Sequence, residues 1–127
     1  MVRFPLLHTV LGEHLSLGFI PMNRGEIWSF EFKKPDKMRP VVILTRQEMI
    51  SLLNTVTVGP ITRTIRGVPS EVLVGPHEGL KDHSAINLHH VITIPKSGLR
   101  RFIGSVSAEK MAEILESLLF ALGFDEI

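Results

Sequence analysis

Arg39-Pro40-Val41-Val42-Ile43-Leu44-Thr45, followed by Thr55-Val56-Thr57-Val58-Gly59-Pro60-Ile61-Thr62, decides how this chain folds. From Pro40 to Thr45 the first run is β-branched and apolar without alternation. It is too hydrophobic for a strand with one wet face, so it reads as a central strand buried on both sides. Pro40 belongs at its first position, where a missing N–H is tolerated. The second run is the next strand. Upstream, Glu26 to Phe32 alternates, with Ile27, Phe30 and Phe32 among polar neighbours and Trp28 adding aromatic bulk. Glu48 to Leu53 predicts a turn or two of helix. Downstream, Glu71 to Val74, Ala85 to Leu88 and Val91 to Ile94 read as short strands, punctuated by Pro69, Gly75-Pro76, Gly79 and Pro95.

Helix signals come only at the end. Ser107 is a suitable N-cap, Glu109 sits in the first turn and Gly123 can close the helix. Between them Met111, Ile114, Leu115, Leu118, Leu119 and Leu122 recur at the spacing of an amphipathic helix. This stripe is expected to pack on its own barrel, with a dimer contact as the alternative. Short strands followed by one late helix predict a mainly β fold with α, a small and strongly bent β-barrel carrying a C-terminal amphipathic helix.

The chain has 127 residues, the length of one domain, of which 44% are hydrophobic and 21% charged, a balance that can bury a core unaided. With no cysteine, disulfides, thiolate metal sites and cysteine nucleophiles are excluded, and a reducing cytoplasm is the expected location. Residues 1–21 read differently from the rest. They form an apolar extension, interrupted by His8, Glu13 and His14, and too short and polar to span a membrane. The extension is expected to be dispensable ahead of a start at Met22, or else a helix packed on the domain formed by 22–127.

Charge is segregated along the chain. Between Lys33 and Arg66, seven basic residues (Lys33, Lys34, Lys37, Arg39, Arg46, Arg63 and Arg66) face only Asp36 and Glu48. From Glu109 onward acids dominate. One face is therefore suited to a polyanion and another turned away from it. Phosphate-loop, dinucleotide and Gly-x-Ser-x-Gly signatures are missing. No metal site is expected: adjacent His89 and His90 would face opposite ways on a strand, and the His77–His83 region lacks companion carboxylates.

If the two deciding strands are antiparallel, Arg39 at the start of one and Thr62 at the end of the other meet at one rim. RNA carries its own nucleophile, the 2′-hydroxyl. A protein that cuts it must hold that oxygen in line with the leaving 5′-oxygen, stabilise charge on the phosphorane and manage two protons. A guanidinium suits the charge role, and a threonine hydroxyl can donate to the same phosphate. No residue is assigned as the base. By spacing alone the pair reads first as an ordinary surface arginine and a strand-forming threonine.

Arg24-Gly25-Glu26-Ile27-Trp28, then Arg39-Pro40-Val41-Val42-Ile43-Leu44, then Pro60-Ile61-Thr62 resemble the successive signatures of the MazF/PemK (Kid) toxin family. Gly79-Leu80-Lys81-Asp82-His83-Ser84-Ala85-Ile86-Asn87, Thr93-Ile94 and the closing helix follow in the same order, so the resemblance covers roughly Met22 to Phe124. It implies an SH3-like barrel with a C-terminal helix, acting as a homodimer with single-stranded RNA crossing the interface. It also implies the toxin of a type II toxin–antitoxin system: a ribosome-independent, sequence-specific endoribonuclease. No metal or cofactor is implied, and the products are a cyclic phosphate and a 5′-hydroxyl. The partner it implies is an antitoxin whose acidic, disordered tail occupies the RNA groove. Arg39 and Thr62 match the family's catalytic arginine and partner hydroxyl.

Lys34, Lys37, Arg63, Arg66 and Asn87 are the expected RNA contacts. Two departures stand out. The loop from Lys33 to Met38 is short, and Asn87 and His89 replace the Arg and Asp that Kid-type members place after the fifth strand. His89 is the candidate for proton transfer, because an imidazole titrates near neutrality. The competing readings are non-catalytic: a nuclease-dead RNA binder, or a gyrase poison like CcdB on the same barrel. The latter depends on a Trp-Gly-Ile terminus, whereas this chain ends Phe124-Asp125-Glu126-Ile127.

Overall fold

The computed structural model describes residues 21–33 and 38–126. All but the last residue of the 1–21 extension, as well as Lys34 and Lys37, lie outside that range. Among the described residues seven strands and two α-helices follow in order: β1 (Glu26–Glu31), β2 (Met38–Ile43), α1 (Gln47–Ile50), β3 (Thr55–Thr62), β4 (Glu71–Val74), β5 (Ser84–Asn87), β6 (Ile92–Pro95), β7 (Leu99–Ser105) and α2 (Ala108–Leu122). All pairings are antiparallel. The strand order is β4-β5-β3-β2-β1-β7, with β6 also on β3.

β3 is the pivot. Its first half, Thr55 to Val58, pairs with β6, while Ile61 and Thr62 pair with β5, and β2 runs along the other edge. Gly59 lies where β3 changes partner. A Cβ there would come within 2.9 Å of Ile86 Cγ2, so glycine lets the bent layers close on each other. The sheet rolls into a barrel-like shape that stays open, its end strands β4 and β7 being unpaired with one another.

The all-apolar run of β2 is buried on both faces, as its composition required: Val41, Val42 and Ile43 are each 0% exposed. Val41 and Ile43 join Met22, Phe30, Val56, Val58 and Ile94 on one side. Val42 and Leu44 join Ile27, Ile61, Ile86, Leu88 and Ile114 on the other. Each fully buried side chain of this size contributes roughly 1.5–3 kcal/mol. β2 nevertheless starts at Met38, so Pro40 is its third residue, opposite Ser29 of β1, and not its first.

Two further features differ from expectation. β7 has no counterpart among the strands read from sequence. It is an edge strand, mostly exposed and without alternation, so its residues carry no periodic signal. In α2 the ends are as read: the Ser107 hydroxyl accepts from the Lys110 N–H at 3.1 Å, and Gly123 caps the far end in the left-handed conformation. The stripe, however, does not all pack on the barrel. Ile114 is buried, and Met111 and Leu118 pack against the core, but Leu115, Leu119 and Leu122 are 57%, 38% and 58% exposed. The helix meets the body over a narrow line, chiefly β4 and the Leu88–His90 turn, leaving the outer half of the stripe uncovered. Among the described residues no helix is long and apolar enough to cross a membrane.

Candidate functional site

The register of β2 on β3 pairs Val41 with Pro60, Val42 with Gly59 and Ile43 with Val58. The pairing ends at Val41 and Pro60, two residues short of Arg39 on β2 and of Thr62 on β3, so these two residues close the same end of the strand pair. Both residues are half-buried. Both line a cavity of about 710 Å³, together with Met38, Pro40, Ile61, Arg63, Leu80, Lys81, Asp82, Arg101 and Ile103. Among the described residues its charged lining is four cations (Arg39, Arg63, Lys81 and Arg101) and the carboxylate of Asp82. Apolar side chains make up much of the remaining wall.

The Thr62 hydroxyl oxygen accepts the Thr64 N–H at 3.2 Å, which orients it and leaves its own proton available for donation. Arg63 Nη1 stands 3.6 Å from Asp82 Oδ2, with both side chains largely in solvent, so the pair adds little stability.

The far wall is the β4–β5 connection. Glu78 folds back so that its carboxylate accepts the Gly75 N–H at 2.6 Å. Gly79 then takes φ +92°, and its Cα passes so close to β7 that a Cβ would lie 2.5 Å from the Ile103 carbonyl oxygen. Gly104, on β7, allows the reciprocal approach of the Glu78 carbonyl. The Ser84 hydroxyl donates to the Asp82 carbonyl at 3.0 Å. A loop otherwise at the surface is thus held against a strand, with Lys81 and Asp82 at fixed places beside Arg63. On β7, the Arg101 N–H donates to the Ser29 hydroxyl at 3.0 Å. Arg100 is instead engaged by Glu31, at 2.9 Å, and by the Ser97 carbonyl.

Of the residues expected from sequence, the structure brings Arg39, Thr62 and Arg63 together. Arg66, Asn87 and His89 do not line this cavity. His89 lies past the opposite end of β5, its Nδ1 hydrogen-bonded to the Ser70 hydroxyl at 2.6 Å and its ring edge-on to His90. The Asn87 amide donates to His90 Nδ1 at 3.0 Å. The Arg66 main chain holds the Glu71 carboxylate at 3.0 Å. Sequence reasoning had not assigned Lys81, Asp82 and Arg101 to the site. The first two stand inside the stretch from Gly79 to Asn87, whose order was noticed without a role. Arg101 belongs to the strand that has no periodicity. Among the described residues, no three His, Cys, Asp or Glu side chains are grouped to hold a metal ion.

Residues 23–122 match the family model described as PemK-like, MazF-like toxin of type II toxin–antitoxin system. The chain is 40% identical over 90 residues to endoribonuclease MazF3 of Mycobacterium tuberculosis, an alignment covering 71% of this chain and 87% of the relative. Among solved structures, the M. tuberculosis toxin MazF-mt6 superposes with a TM-score of 0.72 at 37% identity, over 77% of this chain and 96% of its own. A mycobacterial endoribonuclease in complex with its cognate antitoxin gives 0.72 at 24% identity, over 81% of this chain and 96% of that one, a likeness of fold.

Proposed function

This chain belongs to the PemK-like, MazF-like toxins of type II toxin–antitoxin systems, and from that premise we propose that it is a ribosome-independent endoribonuclease. It cleaves single-stranded RNA sequence-selectively and without a metal ion, and so arrests translation and growth in the cytoplasm. The observation that carries the reading is that Arg39 and Thr62 line one groove, whose charged lining among the described residues is four cations and one carboxylate. The names of the relatives, endoribonucleases throughout, favour this over a non-catalytic binding module.

In this mechanism the strand lies in the groove with one phosphate between Arg39 and Thr62. The 2′-oxygen attacks phosphorus, giving up its proton to solvent water as the bond forms, and the same solvent supplies the proton taken up by the leaving oxygen. The bond from phosphorus to the 5′-oxygen breaks, and that oxygen leaves protonated, so the products are a 2′,3′-cyclic phosphate and a 5′-hydroxyl. Arg39 neutralises the two non-bridging oxygens of the phosphorane, and the Thr62 hydroxyl donates to one of them. Arg63, Lys81 and Arg101 hold flanking phosphates. Arg66 and Asn87 serve the strand beyond the cavity, and Lys34 and Lys37 are further RNA contacts. His89, bonded to Ser70 outside the cavity, is not assigned the proton transfer.

The toxin domain is 22–127, with 1–21 dispensable for cleavage. Two copies associate through the apolar face that α2 leaves open at Leu115, Leu119 and Leu122. The cognate antitoxin covers the cationic groove with an acidic segment, charge complementarity being the reason. To test the reading, purified protein with and without residues 1–21 is incubated with a long unstructured RNA in excess EDTA, and fragment ends are mapped. Discrete cuts ending in cyclic phosphate are expected from both forms. An intact RNA with a folded protein would leave the binding-module reading, with gyrase inhibition as the next assay.

A further inference from the structure

The groove is built for a polyanion, yet it carries a carboxylate. We propose that Asp82 reads a nucleobase next to the cut, accepting hydrogen bonds from a base that presents an amino group and rejecting uracil. This inference rests on the nuclease reading and adds to it the group that chooses the sequence.

Asp82 is placed firmly without being used up. Its main chain is held by the Ser84 hydroxyl, and the loop that carries it is clamped by Glu78 on Gly75 and seated on β7 at Gly79. Its side chain is 54% exposed, and Arg63 at 3.6 Å is beyond hydrogen-bond distance, so the carboxylate stays available. A carboxylate repels phosphate, so a bound strand must keep its phosphates on Arg39, Arg63, Lys81 and Arg101 and turn a donor toward Asp82. That donor is a base edge more readily than a sugar, because Leu80 and Ile103 add apolar side chains to the same lining, which suits the face of an unstacked base.

An ionised carboxylate only accepts. It matches the N4 amino group of cytosine, the N6 amino group of adenine, or the adjacent N1–H and N2–H of guanine. Uracil offers no amino group: its one edge donor, N3–H, is flanked by two carbonyl oxygens that the acid repels.

The test compares wild type with Asp82→Asn on a pool of single-stranded RNA of randomised sequence in EDTA, sequencing every cut site and following rate against pH. Wild type is expected to disfavour uracil by about tenfold or more at one position beside the cut. Asparagine both donates and accepts, so in the variant the ratio of cleavage between amino-bearing bases and uracil at that position is expected to fall toward one. Circular dichroism checks that the exposed substitution leaves the fold intact. The proposal is overturned if both proteins share one base profile, or if wild type tolerates uracil at every position. It is equally overturned if Asp82→Asn slows all sequences alike and flattens the pH profile, the signature of a proton acceptor. Any of those results leaves the nuclease reading standing; no cleavage by either folded protein removes both.

Discussion

Replacing Gly79 by alanine separates the stability of this barrel from the geometry of its groove. Gly79 and Gly123 both sit at positive φ, +92° and +79°, so alanine at either carries a similar backbone penalty of about 1–2 kcal/mol. Only Gly79 is also crowded. Its new Cβ would stand 2.5 Å from the Ile103 carbonyl oxygen, where ordinary contact begins at 3.4 Å, so the loop must retreat by about 0.9 Å, while nothing lies within 4 Å of a Cβ at Gly123. Overpacking of this kind adds about 1–3 kcal/mol, which for a domain of this size lowers Tm by roughly 4–12 °C beyond the Gly123→Ala variant. The same retreat moves Lys81 off the phosphate path and carries Asp82 with it. A misplacement near 1 Å costs on the order of 100-fold in rate. Single-turnover cleavage at saturating protein, well below both melting temperatures, reads the second effect apart from the first. Gly123→Ala is expected to melt lower and cut normally, and Gly79→Ala to do both worse. Equal rates for the two variants would refute the claim that this loop forms a wall of the site.

Arg101→Ala should weaken RNA binding about equally across sequences and reduce the slope of log affinity against log salt by about 0.7, the share of one phosphate contact on a single strand. An unchanged slope would remove Arg101 from the groove. Lysine at both Leu115 and Leu122 should shift the protein from dimer to monomer in sedimentation while its circular dichroism is kept, since neither side chain is buried in the single chain; a persisting dimer would place the interface elsewhere. Lys96 donates to the carbonyls of Ile50 and Leu53 at 2.7 and 2.9 Å, yet burial lowers its pKa from 10.5. Between its folded value and 10.5 the unfolded chain holds more protons at this site, so this group makes stability rise with pH across that interval. Lys96→Met should flatten that rise in melts from pH 8 to 11 and leave cleavage intact.

The barrel was legible where burial writes a pattern. Val41 to Ile43 declare a strand wetted on neither face, and β3 was read from Thr55 to Thr62 as observed, because its apolar residues alternate up to the Gly59-Pro60 bend. The antiparallel register then follows, and Arg39 and Thr62 come to line one cavity. β7 was illegible for the converse reason: an exposed edge strand buries too little to leave a period, so Arg101 went with it. The helical stripe was legible as a helix but not as to its partner, since Leu115 and Leu122 look the same in sequence whether they face a barrel or solvent. Asp82 was hidden differently, as an acid within a basic groove whose place depends on two glycines, Gly79 and Gly104, far apart in the chain.

The most direct test of the central claim is single-turnover cleavage in excess EDTA of an RNA bearing one mapped site, by wild type and by Arg39→Ala. A parallel substrate carries 2′-deoxyribose at the scissile nucleotide. Wild type is expected to cut only the all-ribose strand and to leave a cyclic phosphate. Arg39→Ala, still folded, should cut it at least about 100-fold more slowly, the loss expected when one group stabilising developing charge is removed. Normal cutting by Arg39→Ala, or cutting of the deoxy substrate at the same bond, would contradict a site in which arginine stabilises attack by the 2′-hydroxyl.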